Sequence, residues 1–328
     1  MKKCTATAAT TLCLVFTIAM VSVAGTVLGI SLAGLKTQEV WIHPSDPFDW
    51  TVENASLSLN GRLYLPPFFA QSNKYPSVLL FHGVTRTLQD LDEIGKKLAM
   101  KGCVCLGISF HGHGLSEGSF PMSDGARYNE SFGDAAGAYR WLRNQTFVDP
   151  DRIGATGQSM GAGTAIYLAL QDLAPKFVAW YPATAYLWGD TPLYQYTSSS
   201  SVFKGFIIQG TNDTCSRCLP NYTQYFVDNN PGKIDLFWVE GGIHGATALD
   251  WPLYVEKTMT WWAATWQLSD VLPVPWLWIY APWIAAGILL LVGIVDSSFF
   301  LVRWQKTKKA RGNASPTGAS RGEPGASG

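Results

Sequence analysis

The chain has 328 residues, with 24 Lys plus Arg balancing 24 Asp plus Glu and a hydrophobic fraction of 47%. Zero net charge gives no global field to gather nucleic acid or an acidic substrate, so a nucleic-acid partner is not expected. Charged residues make up 15%, well under the roughly one quarter usual in soluble domains, and the apolar excess sits mainly at the two ends.

Residues 1–10 carry Lys2 and Lys3, and Thr11 to Leu35 then runs 25 residues without a charge. At 1.5 Å per residue such a helix spans the ~30 Å hydrocarbon core of a bilayer. A signal peptide cleaved near Ser22-Val23-Ala24 is the rival reading, but apolar regions of signals usually run only ~7–15 residues, which favours an anchor over 11–35. The Lys pair places residues 1–10 on the cytoplasmic side.

Residues 36–273 read as one α/β domain. Ser56–Leu59 and Arg62–Leu65 alternate at period two around Asn60-Gly61, a hairpin signal. Short apolar runs then alternate with helical patterns. Strands are expected at 77–81, 103–108, 152–156, 177–181, 206–209 and 234–239, and helices at 88–101, 132–143, 160–170 and 253–266. Buried strands alternating with helices imply a mostly parallel sheet, made mixed by the hairpin and covered on both faces. The stretch between the strands at 177–181 and 206–209 is short and aromatic (PATAYLWGDTPLYQYTSSSSVFK), a small cap.

Residues 274–302 form a second apolar stretch, opened by Trp276, Trp278, Tyr280 and Trp283 and followed by Arg303, Lys306, Lys308, Lys309 and Arg311. Interfacial aromatics and a basic stop make this a transmembrane helix that ends in the cytoplasm, with Asp296 near the headgroups. The tail 303–328 is basic and then rich in Gly, Ser, Ala and Pro, a composition without a core. Two spans with both ends inside leave 36–273 on the lumenal or extracellular side. Six Asn-x-Ser/Thr acceptors (Asn54, Asn129, Asn144, Asn212, Asn221, Asn313) fit that placement, since chance gives about one or two. Asn313 would stay unmodified on the cytoplasmic side.

Cys103 and Cys105 are too close along one strand to bridge each other. Cys215 and Cys218 form a C-x-x-C without a second Cys/His pair to complete a zinc site, so outside the cell it reads as a loop-stapling disulfide and no metal is expected.

Gly157-Gln158-Ser159-Met160-Gly161 is a G-x-S-x-G between a strand and a helix of small residues. Its glycines permit a sharp turn, and the helix N-terminus favours negative charge at the serine. A serine hydroxyl needs a base, and the base needs an orienting group. His244 follows the last strand and Asp213 follows the strand before it, so all three can converge; Asp190 is the substitute acid. The two N–H donors of an oxyanion site would come from Met160 and Val84. His82 reads as a loop-shaping hydrogen bonder, and His111-Gly112-His113-Gly114 as a rigid loop rather than a metal site.

Taken together, His82-Gly83, the run from His111 to Gly118, the motif around Ser159, Asp213 and His244 resemble the α/β-hydrolase superfamily. The resemblance is nearest to the branch of monoacylglycerol lipases, lysophospholipases and serine aminopeptidases, and it covers residues 50 to 270. It implies hydrolysis of an ester, thioester or amide through an acyl-enzyme, without metal or organic cofactor, and an acyl ester, lipid-like or small, as substrate. Ser109 and His111 depart from it, because that branch usually carries Asp and Arg there, and the cap is shorter than in most lipases. The expectation is therefore a membrane-anchored serine hydrolase. An aminopeptidase or acyl-peptide hydrolase, with Asp190 or Glu117 binding a free amine, and a catalytically silent surface module are the alternatives.

Overall fold

The computed structural model describes residues 34–43, 57–120, 130–245, 251–269, 298 and 301–306. Residues 1–273 form one compact unit containing β1 (Lys36–Ile42), β2 (Leu59–Leu65), β3 (Tyr75–Phe81), α1 (Asp92–Met100), β4 (Val104–Ile108), α2 (Glu130–Arg143), β5 (Val148–Gln158) and α3 (Met160–Leu170). It continues with β6 (Lys176–Trp180), β7 (Leu187–Trp188), β8 (Thr191–Pro192), β9 (Lys204–Gly210), α4 (Pro220–Asn229), β10 (Ile234–Val239) and α5 (Trp251–Trp266). Residues 274–328 are a second unit, in which 301–306 are helical.

Eight strands make one sheet in the order β1-β2-β4-β3-β5-β6-β9-β10. The first two pairings are antiparallel and the rest parallel. Period-two alternation decides the layers. Along β3, Leu79 and Phe81 pack with α2 and α3 on one face, while Val78 and Leu80 pack with α1 and α5 on the other. Both faces are covered, which is why the central strands are apolar throughout. Two indole hydrogen bonds tie α5 to the sheet. Trp262 Nε1 donates to Thr156 Oγ1 on β5 at 2.9 Å, and Trp180 Nε1 on β6 donates to Thr258 Oγ1 at 2.8 Å.

The hairpin expected around Asn60-Gly61 does not form. β2 runs straight through that dipeptide, with Asn60 opposite Trp41 and Gly61 opposite Val40 of β1 and opposite Ile108 of β4. The local turn signal loses because neighbouring strands on both sides offer a full ladder. The Asn60 side chain also finds a strand-compatible partner, donating to Glu39 Oε2 at 3.3 Å.

Between β6 and β9, the short β7–β8 ribbon and a 3₁₀ turn at Leu193–Gln195 fold down onto the domain. Tyr186 and Leu193 are buried, and Trp188 stacks on Tyr196 at 4.6 Å. Among the described residues no helix is long and apolar enough to cross a membrane. The spans expected at 11–35 and 274–302 lie almost wholly outside the described residues.

Candidate active site

β5 ends at Gln158 and α3 begins at Met160, so Ser159 alone makes the turn, at φ 54° and ψ −113°. That backbone conformation is strained for a residue with a Cβ. The turn closes so tightly that a Cβ on Gly157 would meet Gly161 O at 2.3 Å, and one on Gly161 would meet Phe81 O at 2.2 Å. The strain is held by hydrogen bonds on both sides. Ser159 N donates to Trp180 O at 2.8 Å, and Ser159 O accepts from Gly163 N at 3.0 Å and Ala183 N at 3.1 Å. A Cβ on Gly83 would stand 3.5 Å from both Gln158 O and Ser159 Cβ. Gly83, the residue before the expected donor Val84, therefore lies against Ser159, and Met160, the other expected donor, follows Ser159 along the chain.

Ser159 Oγ lies 3.0 Å from His244 Nε2, and His244 Nδ1 lies 2.9 Å from Asp213 Oδ2. The structure thus brings together the three residues singled out in the sequence. Asp213 is only 3% exposed and both its oxygens are occupied. Oδ1 accepts from Cys215 N at 2.9 Å, and Oδ2 also accepts from Gln209 Nε2 at 3.1 Å. Gln209 was not foreseen. It is buried at the end of β9, and its Oε1 accepts from Thr223 Oγ1 at 3.0 Å, which fixes the amide orientation. Asp190, the substitute acid, is exposed at the tip between β7 and β8.

His82 is a neutral clamp. Its Nδ1–H donates to Gly83 O at 2.7 Å, which leaves Nε2 to accept from Phe110 N at 3.0 Å. It thereby joins the loop carrying Val84 to the loop after β4. Burial pushes its pKa down to about 4, and a proton on Nε2 would also evict the Phe110 amide. The unfolded chain takes up this proton below about pH 6.5 while the folded chain refuses it until about pH 4. Stability is therefore expected to fall through that window by up to about 3 kcal/mol on this account. Urea unfolding of wild type and His82→Gln at pH 7 and pH 5 checks this: the variant should be weaker at pH 7 but lose less on acidification, and equal losses would refute it.

His111 behaves oppositely. Nδ1 meets Asp134 Oδ2 at 2.7 Å and Nε2 meets Glu130 Oε2 at 3.1 Å. Burial opposes protonation, but these carboxylates outweigh it and raise the pKa. When protonated, this imidazole does the ionic work of an Arg, while Ser109 Oγ accepts from Leu88 N at 3.2 Å. The two departures from the family pattern thus keep the loop tied. Neither acidic partner was foreseen, because both come from α2.

The expected Cys215–Cys218 disulfide is not formed. Cys215 N is held by Asp213 Oδ1 and Cys218 N by Cys215 O, and the sulfurs stand 3.1 Å apart as thiols, beyond the roughly 2.05 Å of a bonded pair. Cys218 Sγ is 4.0 Å from both Ser159 Oγ and His244 Nε2. The Cys218 thiol above all, and His244 with it, hold Cys215 below the ordinary thiol range. Burial first, then its neighbour, pushes Cys218 well above it. Burial opposes protonation of His244, but Asp213 and Cys215 outweigh it and raise the imidazole.

Comparison with known proteins matches residues 73–281, more than half of the chain, to the family described as serine aminopeptidase, S33. The uncharacterized protein YcjY of Escherichia coli K12 is 31% identical over 128 residues, which is 38% of this chain and 40% of that protein. The alignment therefore spans under half of that relative. Esterase 2 of Thermogutta terrifontis, phosphoramylated by tabun, superposes with a TM-score of 0.55 at 18% identity, covering 72% of this chain and 96% of that one. An esterase of Pyrococcus furiosus gives 0.53 at 19%, covering 71% and 93%. A candidate dipeptidyl aminopeptidase IV of Bacteroides ovatus gives 0.54 at 18%, covering 70% of this chain but 36% of that one. At these identities the superpositions establish the fold, and with the family match they lead to one assignment: the chain belongs to the serine aminopeptidase S33 family of α/β-hydrolases.

Proposed function

We propose that the protein is a membrane-anchored serine hydrolase that cleaves carboxylic esters through Ser159, His244 and Asp213. The reading rests on the hydrogen-bonded series Ser159 Oγ, His244 Nε2, His244 Nδ1, Asp213 Oδ2, with separations of 3.0 and 2.9 Å. His244 takes the Ser159 proton as Oγ attacks the carbonyl carbon, and Asp213 orients and stabilises the imidazolium. The Val84 and Met160 N–H groups hold the oxyanion. Collapse expels the alcohol, protonated by His244, and leaves an acyl-Ser159. A water, deprotonated by His244, then releases the acid and restores the serine.

The aminopeptidase reading needs a carboxylate to hold a substrate amine. Glu117 is already committed, accepting from Ser58 N at 2.9 Å, and Asp190 is exposed at the cap tip. The ester reading is favoured for that reason. The similar Thermogutta terrifontis esterase 2 is phosphoramylated by tabun and phosphorylated by paraoxon, so organophosphorus probes suit the test. The full-length chain is expected to react with a fluorophosphonate and to hydrolyse p-nitrophenyl esters, from acetate through dodecanoate, in preference to aminoacyl-naphthylamides. Amide cleavage without ester cleavage would transfer the assignment to the peptidase. Folded protein inert to the probe and to both substrate classes would support the silent surface module.

The topology is part of the proposal: spans at 11–35 and 274–302, residues 1–10 and 303–328 in the cytoplasm, and 36–273 lumenal or extracellular. Asn144, Asn212 and Asn221 are all exposed. Asn212 N donates to Gly242 O at 2.9 Å, beside the loop of His244, where a glycan would crowd the site. Glycopeptide mapping is expected to find sugar on Asn144 and Asn221 and none on Asn212. Unmodified Asn144 and Asn221 in protein from a eukaryotic secretory pathway would overturn the orientation.

A further inference from the structure

We infer that Cys215, Cys218 and His244 form a binding site for a thiophilic d¹⁰ cation, with Zn²⁺ as its probe, whose occupation stops the hydrolase by capturing His244 Nε2. The inhibitory half of this inference rests on the function proposed above; the binding half stands on the ligand geometry alone.

One ligand atom from each residue lies within 4.8 Å of the others. The sulfurs are 3.1 Å apart, and Cys218 Sγ is 4.0 Å from Nε2. Two sulfurs about 2.3 Å from one tetrahedral ion stand about 3.8 Å apart. The pair therefore opens by about 0.7 Å to accept the ion, within reach of side-chain rotation. Two thiolates and an imidazole select Zn²⁺ over the hard cations Mg²⁺ and Ca²⁺. Binding requires both sulfurs as thiolates and the imidazole neutral, so it is coupled to proton release, and the ion with its two thiolates carries no net charge.

The support around the ligands is already built. His244 Nδ1 is 2.9 Å from the buried Asp213 Oδ2, the carboxylate–histidine arrangement that orients metal-bound imidazoles. Asp213 also fixes the Cys215 amide at 2.9 Å, and Gln209 Nε2 donates to Cys218 O at 3.2 Å. His244 and Cys215 are both partly exposed, which leaves an entry path. The fourth position faces Ser159, whose Oγ lies 3.0 Å from Nε2 and 4.0 Å from Cys218 Sγ. Three protein ligands with an open fourth position would ordinarily suggest a catalytic metal. Here the ion takes the nitrogen that must accept the serine proton, so it blocks the reaction.

The test uses the full-length chain, reduced and freed of metal. Co²⁺ is titrated first, reading thiolate-to-cobalt charge-transfer absorption, and then displaced with Zn²⁺. Fluorophosphonate labelling of Ser159 is followed in parallel at rising Zn²⁺, and again after chelation. The inference predicts one cobalt per chain with the charge-transfer band, and labelling that falls with zinc occupancy and returns with chelator. In Cys215→Ser/Cys218→Ser, or in the two single variants should the double fail to fold, the zinc needed for half-protection rises. The rise should exceed the roughly 10–100-fold that loss of a supporting group alone costs. Each variant is compared with its own metal-free labelling. The site is refuted if alkylation maps both thiols as free yet no charge-transfer band appears. Equal zinc protection in wild type and variants, or a Cys215–Cys218 disulfide that resists reduction in the folded chain, refutes it as well. Wild type that never labels sinks the hydrolase reading instead, and the cobalt band still decides the metal site.

Discussion

Ser159→Ala is expected to abolish fluorophosphonate labelling and to lower ester turnover by on the order of 10⁶-fold, leaving only what oxyanion donors and binding supply. The size follows from how completely the turn is organised around one oxygen. Its Oγ lies 3.0 Å from His244 Nε2, and a Cβ on Gly83 would come within 3.5 Å of Ser159 Cβ. Water could replace the oxygen only without the attachment that holds it in place. Alanine keeps the Cβ and the strained backbone, so thermal unfolding should match wild type and the loss cannot be laid to misfolding. Labelling that persists in Ser159→Ala would place the nucleophile elsewhere.

Asp213→Asn is expected to lower the rate of ester cleavage by about 10⁴-fold while the chain stays folded, through the tautomer of His244. Oδ1 of Asp213 faces the Cys215 N–H, and Oδ2 faces both His244 Nδ1 and the Gln209 amide. An asparagine must point its NH₂ at one of these groups. Towards Oδ2 it makes His244 Nδ1 an acceptor and moves the proton to Nε2, the nitrogen that has to receive one from Ser159. Towards Oδ1 it confronts the Cys215 amide, and the loop shifts. Neither orientation leaves a working base. Asp190→Asn serves as the control and is expected to leave turnover unchanged, since that carboxylate sits exposed at the cap tip. Comparable losses in the two variants would remove Asp213 from its role.

The parts of this site that could be read from sequence are those encoded over short distances or by strand order. The G-x-S-x-G turn is local, and α3 begins and ends where its run of small residues does. Asp213 and His244 were legible because each follows a strand, and parallel strands deliver their carboxyl ends to one edge of the sheet. Their supports were not. Gln209 is an ordinary polar residue until the fold buries it against Asp213. Asp134 and Glu130 reach His111 from a helix about twenty residues away. Cys215 and Cys218 showed their mutual spacing but not His244, which arrives from the next strand-end loop. The straight course of β2 through Asn60-Gly61 has the same origin, since it is set by β1 upstream and β4 about forty-five residues downstream, and no alternation announced the first of these.

The backbone at Ser159 sets durability against reactivity. A φ of 54° with ψ −113° suits glycine better than any residue with a side chain, and strain of this kind costs of order 1–3 kcal/mol. Glycine at 159 would relieve that strain and remove the attacking oxygen at once. A population of variants sorted only for heat resistance would therefore drift toward glycine at this position and hold an intact fold with no chemistry. Selection for robustness in this protein would have to be coupled to a readout of turnover, because at the proposed nucleophile the two pull in opposite directions.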